Sequence, residues 1–167
     1  PVSDKPINYE DKIFMQPKLD GVRCVIQFEG KSSVDPRVVA YSRTGKQWLN
    51  IEHILMNLKP WFYLNPDVIL DGELYNHDLK DDFNKIISLV RKSKPTDQDR
   101  LDAEKLTQFH CYDIIDETKT FEERNRFIVQ NVPRNNCIFH VQTLTNVCNH
   151  TQAKIFHTNY LNQGYEG

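Results

Sequence analysis

The sequence predicts a single α+β domain in which largely antiparallel sheets pack against helices. Segments typical of strands and segments with helical spacing are mixed along the chain, without the regular alternation of a doubly wound fold. The 167 residues are 39% hydrophobic and 26% charged, as in ordinary globular domains. No apolar run approaches the roughly 18 residues of a membrane span. We therefore expect no membrane partner and no secretion signal.

The first half of the chain predicts four strands and one helix. The strands cover 13–15, 22–28, 37–41 and 67–74, and an Asp20-Gly21 turn joins the first two. Apolar residues at helical spacing predict a helix between the third and fourth strands: Ile51, Ile54, Leu55 and Leu58. Pro60 is expected to end this helix.

The second half predicts three helices and two strands. Apolar residues at helical spacing predict the first of these helices: Phe83, Ile86, Ile87 and Val90. A loop at 94–97 follows, and strands are expected over 108–115 and 138–144. Thr120 and Glu123 have the spacing of a capping box, which predicts that a helix begins there. The last helix is expected over 151–163, with Gly164 just after its end.

Charge and cysteine content exclude two kinds of site. The net charge of −2 excludes the overall basic character of many nucleic-acid binders, so any such contact must come from a local patch. A basic run is interleaved with acids and is expected to be a solvated mixed face: Lys85, Arg91, Lys92 and Lys94, with Asp81, Asp82, Asp97 and Asp99. The four cysteines form no CxxC pair, which argues against a zinc site and favours reduced thiols in a cytosolic-type protein.

The sharpest motif is Lys18-Leu19-Asp20-Gly21-Val22-Arg23. A lysine becomes a nucleophile when burial or nearby cations remove its proton, and a strand end would hold it on rigid structure. The glycine would let a phosphate approach the backbone, and Arg23 could point into the same cleft. A surface hairpin with a solvated lysine explains the motif equally well when it is taken alone.

Four weaker motifs follow in order. Asp71-Gly72-Glu73 ends an apolar strand, where carboxylates can hold a ribose or Mg²⁺. Ser42-Arg43-Thr44-Gly45 offers an arginine suited to phosphate. Tyr112-Asp113 lies in an apolar strand, where an aromatic ring either joins the core or stacks on a base. Gly164-Tyr165-Glu166-Gly167 ends the sequence. Each motif alone is explained by a turn, a core residue or a helix end.

Taken together, the five motifs resemble those of the covalent nucleotidyltransferases, which include DNA ligases, RNA ligases and mRNA capping enzymes. The greatest similarity is to compact, phage- or virus-type ATP-dependent DNA ligases. Lys18–Arg23 resembles motif I, Ser42–Gly45 motif Ia, Leu70–Tyr75 motif III, Tyr112-Asp113 motif IIIa, and Tyr165–Gly167 the start of motif IV. The resemblance implies that 1–167 is an adenylation domain of the ATP-grasp-like nucleotidyltransferase type.

The resemblance also implies a role for each matching residue. Lys18 would attack the α-phosphate of ATP and carry AMP. The nucleotide would be held by Arg23, by Glu73 at the ribose, by Tyr112 stacked on adenine and by Gln16 at the adenine edge. Glu73 and Glu166 would hold Mg²⁺, and Arg43 would approach the 5′-phosphate of a nick. The expected partner is nicked double-stranded DNA, bound by a monomer in the cytoplasm or nucleus.

Motif V and a C-terminal OB-fold domain would follow Gly167, so a truncated adenylation domain is expected. An RNA ligase would share these motifs, and a capping guanylyltransferase would use GTP instead of ATP. A nucleotide- or DNA-binding module without chemistry is the non-enzymatic alternative, and it would bind ATP without forming covalent AMP.

Overall fold

The computed structural model describes residues 6–30, 35–145 and 147–167, and these divide into two compact units. One unit comprises 20–141 and the other comprises 1–19 with 142–167. Each unit is described by itself.

The larger unit is built on a mixed sheet, which among the described residues has five strands. The strands are β1 (Val22–Glu29), β2 (Arg37–Tyr41), β3 (Leu70–Tyr75), β4 (Gln108–Ile114) and β5 (Ile138–His140). Their order across the sheet is β2-β1-β3-β4-β5. Every neighbouring pair is antiparallel except β4 and β5, which run parallel. The prediction of a largely antiparallel α+β fold is confirmed.

Alternation along the strands separates a core face from a second face of the sheet. In β1, Cys24, Ile26 and Phe28 are buried, whereas the residues between them are more accessible. β1 therefore packs into the core on one face, whereas nearly all of β3 is buried, including Asp71 and Tyr75. The second face is therefore where polar side chains can be placed for chemistry.

Among the described residues, four α-helices belong to the larger unit, and three of them contribute to its main apolar cluster. They are α1 (Glu52–Leu64), α2 (Phe83–Val90), α3 (Asp97–Leu106) and α4 (Phe121–Asn131), with a short 3-10 helix at His77–Leu79. Ile54, Leu58 and Phe62 of α1 join the same apolar cluster as Ile86 of α2 and Ile128 of α4. The expected capping box is confirmed, since Thr120 and Glu123 cap each other's backbone N–H groups at the start of α4.

Pro60 does not end α1, and this prediction is wrong. The helix continues through Pro60 to Leu64. Proline in a helix interior costs about 3 kcal/mol, because it removes one hydrogen bond and crowds the preceding turn. Phe62 lies two residues further along the helix and is fully buried, and its burial stabilises the helix by about 1.5–3 kcal/mol, which offsets much of that cost.

Other predicted boundaries also need correction. The strand expected over 13–15 is reduced to one bridge between Met15 and Leu144, and the strand expected over 138–144 ends at His140. Helix α3 was not predicted. Its start is marked by Thr96, whose side chain accepts a hydrogen bond from the N–H of Asp99.

The smaller unit contains α5 (His150–Asn162) and irregular segments, two of which meet at the bridge between Met15 and Leu144. Asn149 caps the start of α5, and Gly164 follows its end with a φ of 89°, as predicted. Met15 and Leu144 exchange two backbone hydrogen bonds of 3.0 and 2.8 Å. These contacts hold the segment that carries Lys18 against the C-terminal part of the chain.

Candidate active site

Lys18 and Glu166 lie side by side in the smaller unit. The backbone N–H of Lys18 donates to the carbonyl of Gly167 at 2.8 Å, and the N–H of Glu166 donates to the carbonyl of Lys18 at 3.0 Å. The Lys18 ammonium forms an ion pair with the Glu166 carboxylate. The lysine side chain is 64% exposed and the glutamate 47%, so both ends are accessible to a ligand. The structure therefore brings two predicted site residues together.

Gln16 lies on the same segment, with its amide engaged inside the smaller unit. Its side-chain N–H donates to the Thr143 hydroxyl at 2.9 Å. This bond fixes the orientation of the Gln16 amide within the smaller unit.

In the larger unit, a charged cluster lies on the face of the sheet opposite the core. Arg23 of β1 donates two hydrogen bonds to Asp71 of β3, from Nε at 2.9 Å and from Nη2 at 2.6 Å. The Tyr112 hydroxyl of β4 donates to the same carboxylate at 3.2 Å. Asp71 is only 7% exposed, so the carboxylate of this bidentate pair is shielded from solvent. One buried carboxylate thus orients two predicted nucleotide-binding residues.

The electrostatics of this cluster fix the protonation state of its members. Hydrogen bonding to Asp71 raises the pKa of Arg23, which stays charged. Burial raises the pKa of Tyr112 well above its ordinary value, and the negative charges of Asp71 and Glu73 add to the effect. Tyr112 therefore remains a neutral phenol and a hydrogen-bond donor.

Glu73 stands directly opposite Arg23 in the pairing of β1 with β3. Gly21 precedes β1 and lies against this part of β3: a Cβ there would be 2.5 Å from the Leu74 carbonyl oxygen and 2.6 Å from Glu73 Cγ. A glycine at position 21 is thus required for close packing of the chain beside Glu73.

An open cleft of about 600 Å³ is lined by Arg23 and Glu73 together with the 42–46 loop. The loop is closed by a hydrogen bond of 2.8 Å from the Ser42 N–H to the Lys46 carbonyl. Gly45 has a φ of 79°, a left-handed conformation that favours glycine. Arg43 lines this cleft, so the structure brings it together with Arg23 and Glu73.

No cluster of three or more His, Cys, Asp or Glu side chains in the described part of the chain is arranged to hold a metal. Mg²⁺ usually takes one or two protein carboxylates and completes its shell with water and substrate phosphates, and an accessible carboxylate such as Glu73 in the cleft suits it. Glu73 lines the cleft, and Glu166 is half-exposed beside Lys18.

The sequence predicts that the carboxylates of Asp71-Gly72-Glu73 can hold a ribose or Mg²⁺, but it does not predict the contacts of Asp71 with Arg23 and Tyr112. Residues i and i+2 of a strand lie on the same face, and this signal could have placed Asp71 beside Glu73. The pairing with Arg23 needed the strand register, which the sequence does not specify. Arg124 was likewise unassigned; it donates to Asp113 at 2.8 and 2.9 Å, beside Tyr112.

None of the helices among the described residues has the length and apolar character needed to cross a bilayer.

Comparison with solved structures agrees with the fold. Pmar-Lig_PreS3 superposes with a TM-score of 0.67 at 18% identity, covering 93% of this chain and 37% of that one. A structure from the study "DNA binding with a minimal scaffold: Structure-function analysis of Lig E DNA ligases" superposes with a TM-score of 0.66 at 21% identity. The match covers 96% of this chain and 55% of that one.

A curated relative and a family model agree with the motifs. A DNA ligase of African swine fever virus (isolate Pig/Kenya/KEN-50/1950) is 38% identical over 72 residues, which are 41% of this chain and 16% of the viral protein. The family model described as "ATP dependent DNA ligase domain" matches residues 4–167. Because that match covers nearly the whole sequence, the chain belongs to the ATP-dependent DNA ligase domain family.

Proposed function

We propose that residues 1–167 form an adenylation domain that takes AMP from ATP onto Lys18 and passes it to the 5′-phosphate of nicked DNA. The observation that carries this proposal is the Arg23–Asp71–Tyr112 cluster beside Glu73. In this cluster Asp71 orients the two side chains that are predicted to hold the nucleotide, before any nucleotide binds. Family membership supports ATP as the substrate.

In the first step, the Lys18 amine attacks the α-phosphorus of ATP. An N–P bond forms, the bond to the β-phosphate oxygen breaks, and pyrophosphate leaves. The amine must first lose a proton, and Glu166 is the carboxylate that contacts the ammonium. A covalent intermediate divides one difficult phosphoryl transfer into easier steps.

The nucleotide would be held by residues of the sheet. Arg23 offers fixed positive charge to the ribose or phosphates, Tyr112 offers a ring for adenine and Glu73 offers a carboxylate to the ribose. Such groups help most when their positions are set before reaction, and Asp71 sets two of them. Gln16 would contact the adenine edge.

Glu73 and Glu166 would hold Mg²⁺, which when bound neutralises charge on the phosphoryl oxygens. Arg43 would bind the 5′-phosphate of the nick. The adenylate then moves from Lys18 to that phosphate, and the adjacent 3′-hydroxyl displaces AMP to close the strand. We propose a monomer working in the cytoplasm or nucleus.

Intact mass spectrometry tests the first step. Incubation with ATP and Mg²⁺ is expected to add one AMP, whereas GTP should add nothing. Lys18→Ala and Lys18→Arg should both block the gain, because a guanidinium stays protonated and cannot attack. AMP on the Lys18→Ala chain, or GMP from GTP, would contradict the proposal. Nicked DNA and nicked RNA offered to the adenylated chain then distinguish a DNA ligase from an RNA ligase.

A further inference from the structure

The cleft beside Glu73 is rich in cations. Arg23, Arg43, Lys46 and Arg91 line it, and Glu73 is the one acid among its lining residues. This local excess of positive charge contrasts with the net charge of −2 for the whole sequence. A concentration of positive charge in an otherwise acidic chain indicates a site for a polyanion.

The four cations differ in whether they are already neutralised. Arg23 is paired with Asp71 at 2.6 Å. Arg43, Lys46 and Arg91 are exposed, and within the described ranges none of the three forms an ion pair with a carboxylate. Three positive charges in the cleft are therefore available to phosphate groups.

Arg91 is distinguished from its basic neighbours by the fold. Lys92, the next residue, is bound to Asp99 at 2.5 Å. Lys85 is exposed on the same helix and does not line the cleft. Arg91 caps the end of α2, where its N–H donates to the Ile87 carbonyl at 3.1 Å. The mixed basic and acidic face expected from the sequence therefore places one of its cations, Arg91, in the cleft.

Lys46 enters the cleft from a constrained turn. Its N–H donates to the Ser42 hydroxyl at 3.0 Å and its carbonyl accepts the Ser42 N–H at 2.8 Å. The backbone positions that carry Lys46 and Arg91 are thus set by hydrogen bonds, which lowers the entropy lost when their side chains meet a phosphate.

We propose that Arg91 and Lys46 bind backbone phosphates of the nucleic-acid strand, in addition to the 5′-phosphate contact assigned to Arg43. This inference rests on the proposed function, because it names further substrate contacts of the same site. Contacts of this kind position a duplex without reading its sequence. The open cleft and the exposure of all three cations favour a strand backbone over an enclosed small anion.

The test measures binding of a labelled, 5′-phosphorylated nicked duplex by fluorescence anisotropy at low salt. Arg91→Ala and Lys46→Ala are each expected to weaken binding by about ten-fold. Each should also reduce the slope of log K against log salt by about 1. Lys85→Ala is the matched control, since it removes an exposed cation from the same helix, and it should change binding by less than about two-fold.

A second measurement separates this inference from the proposed function. Arg91→Ala and Lys46→Ala should take up AMP from ATP as the unchanged chain does, with the same KM for ATP and the same midpoint of thermal unfolding. Failure of the unchanged chain to take up AMP would contradict the proposed function. Two results would overturn the inference and leave the proposed function standing, provided that AMP uptake is normal. One is that both variants bind the duplex as tightly as the unchanged chain, and the other is that the unchanged chain does not bind the duplex. A raised KM for ATP would assign the two cations to the nucleotide, and a lowered unfolding midpoint with unchanged duplex affinity would assign Arg91 to the helix end.

Discussion

Asp71 is a buried carboxylate whose three hydrogen bonds all come from side chains of the proposed nucleotide site. Bidentate arginine–carboxylate pairs are strong because two parallel bonds share one geometry. Arg23 is 44% exposed, so water compensates part of its loss when the pair is broken. Asp71 therefore contributes to stability modestly and to the orientation of Arg23 and Tyr112 more strongly.

Asp71→Asn keeps the size of this side chain and removes its charge. We expect a loss of about 1–2 kcal/mol in the free energy of unfolding, measured by urea denaturation, because a charged hydrogen-bonded pair becomes a neutral contact. The rate of AMP uptake should fall by more than ten-fold in the folded chain. A variant that is destabilised but adenylates at the normal rate would show that Asp71 supports only the fold.

The elements that could be predicted from the sequence are those with a strong local pattern. β1 alternates buried and accessible residues, and α4 begins at a capping box, so both were placed correctly. Helix α3 is missing from the prediction because its apolar spacing is weak, and the residues around its Thr96 cap predict a loop at 94–97. The Arg23–Asp71 pair joins residues 48 positions apart, so it depends on a register that only the folded sheet defines.

Pro60 shows how tertiary packing can override a local signal. Pro60→Ala restores an N–H donor in the interior of α1 and relieves crowding of the preceding turn. Pro60 is exposed, so little packing is lost. Proline also restricts the unfolded chain, which offsets part of the gain. We expect the free energy of unfolding of Pro60→Ala, measured by urea denaturation, to rise by about 1–2 kcal/mol, with AMP uptake unchanged. A variant that is less stable than the unchanged chain would contradict this account.

His110 makes the stability of the sheet depend on pH. It stacks on Phe139 with ring centroids 5.0 Å apart, and burial lowers its pKa from 6.5 to about 4, with His77 adding to the effect. Because the folded pKa lies below the unfolded one, this contribution to stability is complete above pH 6.5 and is lost as the pH falls towards 4. The expected loss is about 3 kcal/mol.

Urea denaturation between pH 7 and pH 4 measures this loss. His110→Phe keeps a ring against Phe139 and removes the titrating group, so most of the pH dependence should disappear. Burial also lowers the pKa values of His53 and His140, which should leave a smaller slope of the same sign. An unchanged pH profile in His110→Phe would show that His110 does not carry the effect.

At the scale of the whole molecule, the proposed chemistry draws on both compact units. Lys18, Gln16 and Glu166 belong to the unit formed by 1–19 and 142–167, whereas Arg23, Arg43, Glu73 and Tyr112 belong to the unit 20–141. Backbone hydrogen bonds order Lys18 and Glu166, and the sheet orders the side chains that are proposed to hold the nucleotide. Each unit thus orders its own proposed residues through contacts within that unit.

The distribution of charge predicts an unusually shallow salt dependence for DNA binding. With a net charge of −2, the chain has no general attraction for phosphate, so binding rests on Arg43, Lys46 and Arg91. Each cation that replaces a counterion contributes about −0.9 to the slope of log K against log salt, so three contacts predict a slope of about −2.7.

Anisotropy titrations of a nicked duplex between about 50 and about 200 mM salt measure this slope, and affinity should fall by roughly forty-fold across that range. The chain that carries Arg43→Ala, Lys46→Ala and Arg91→Ala together should show a slope near zero. Proteins with six to ten phosphate contacts lose about 10³–10⁵ in affinity over the same range. A loss of that size here would place most of the DNA contacts outside the cleft, since three cations cannot release so many counterions.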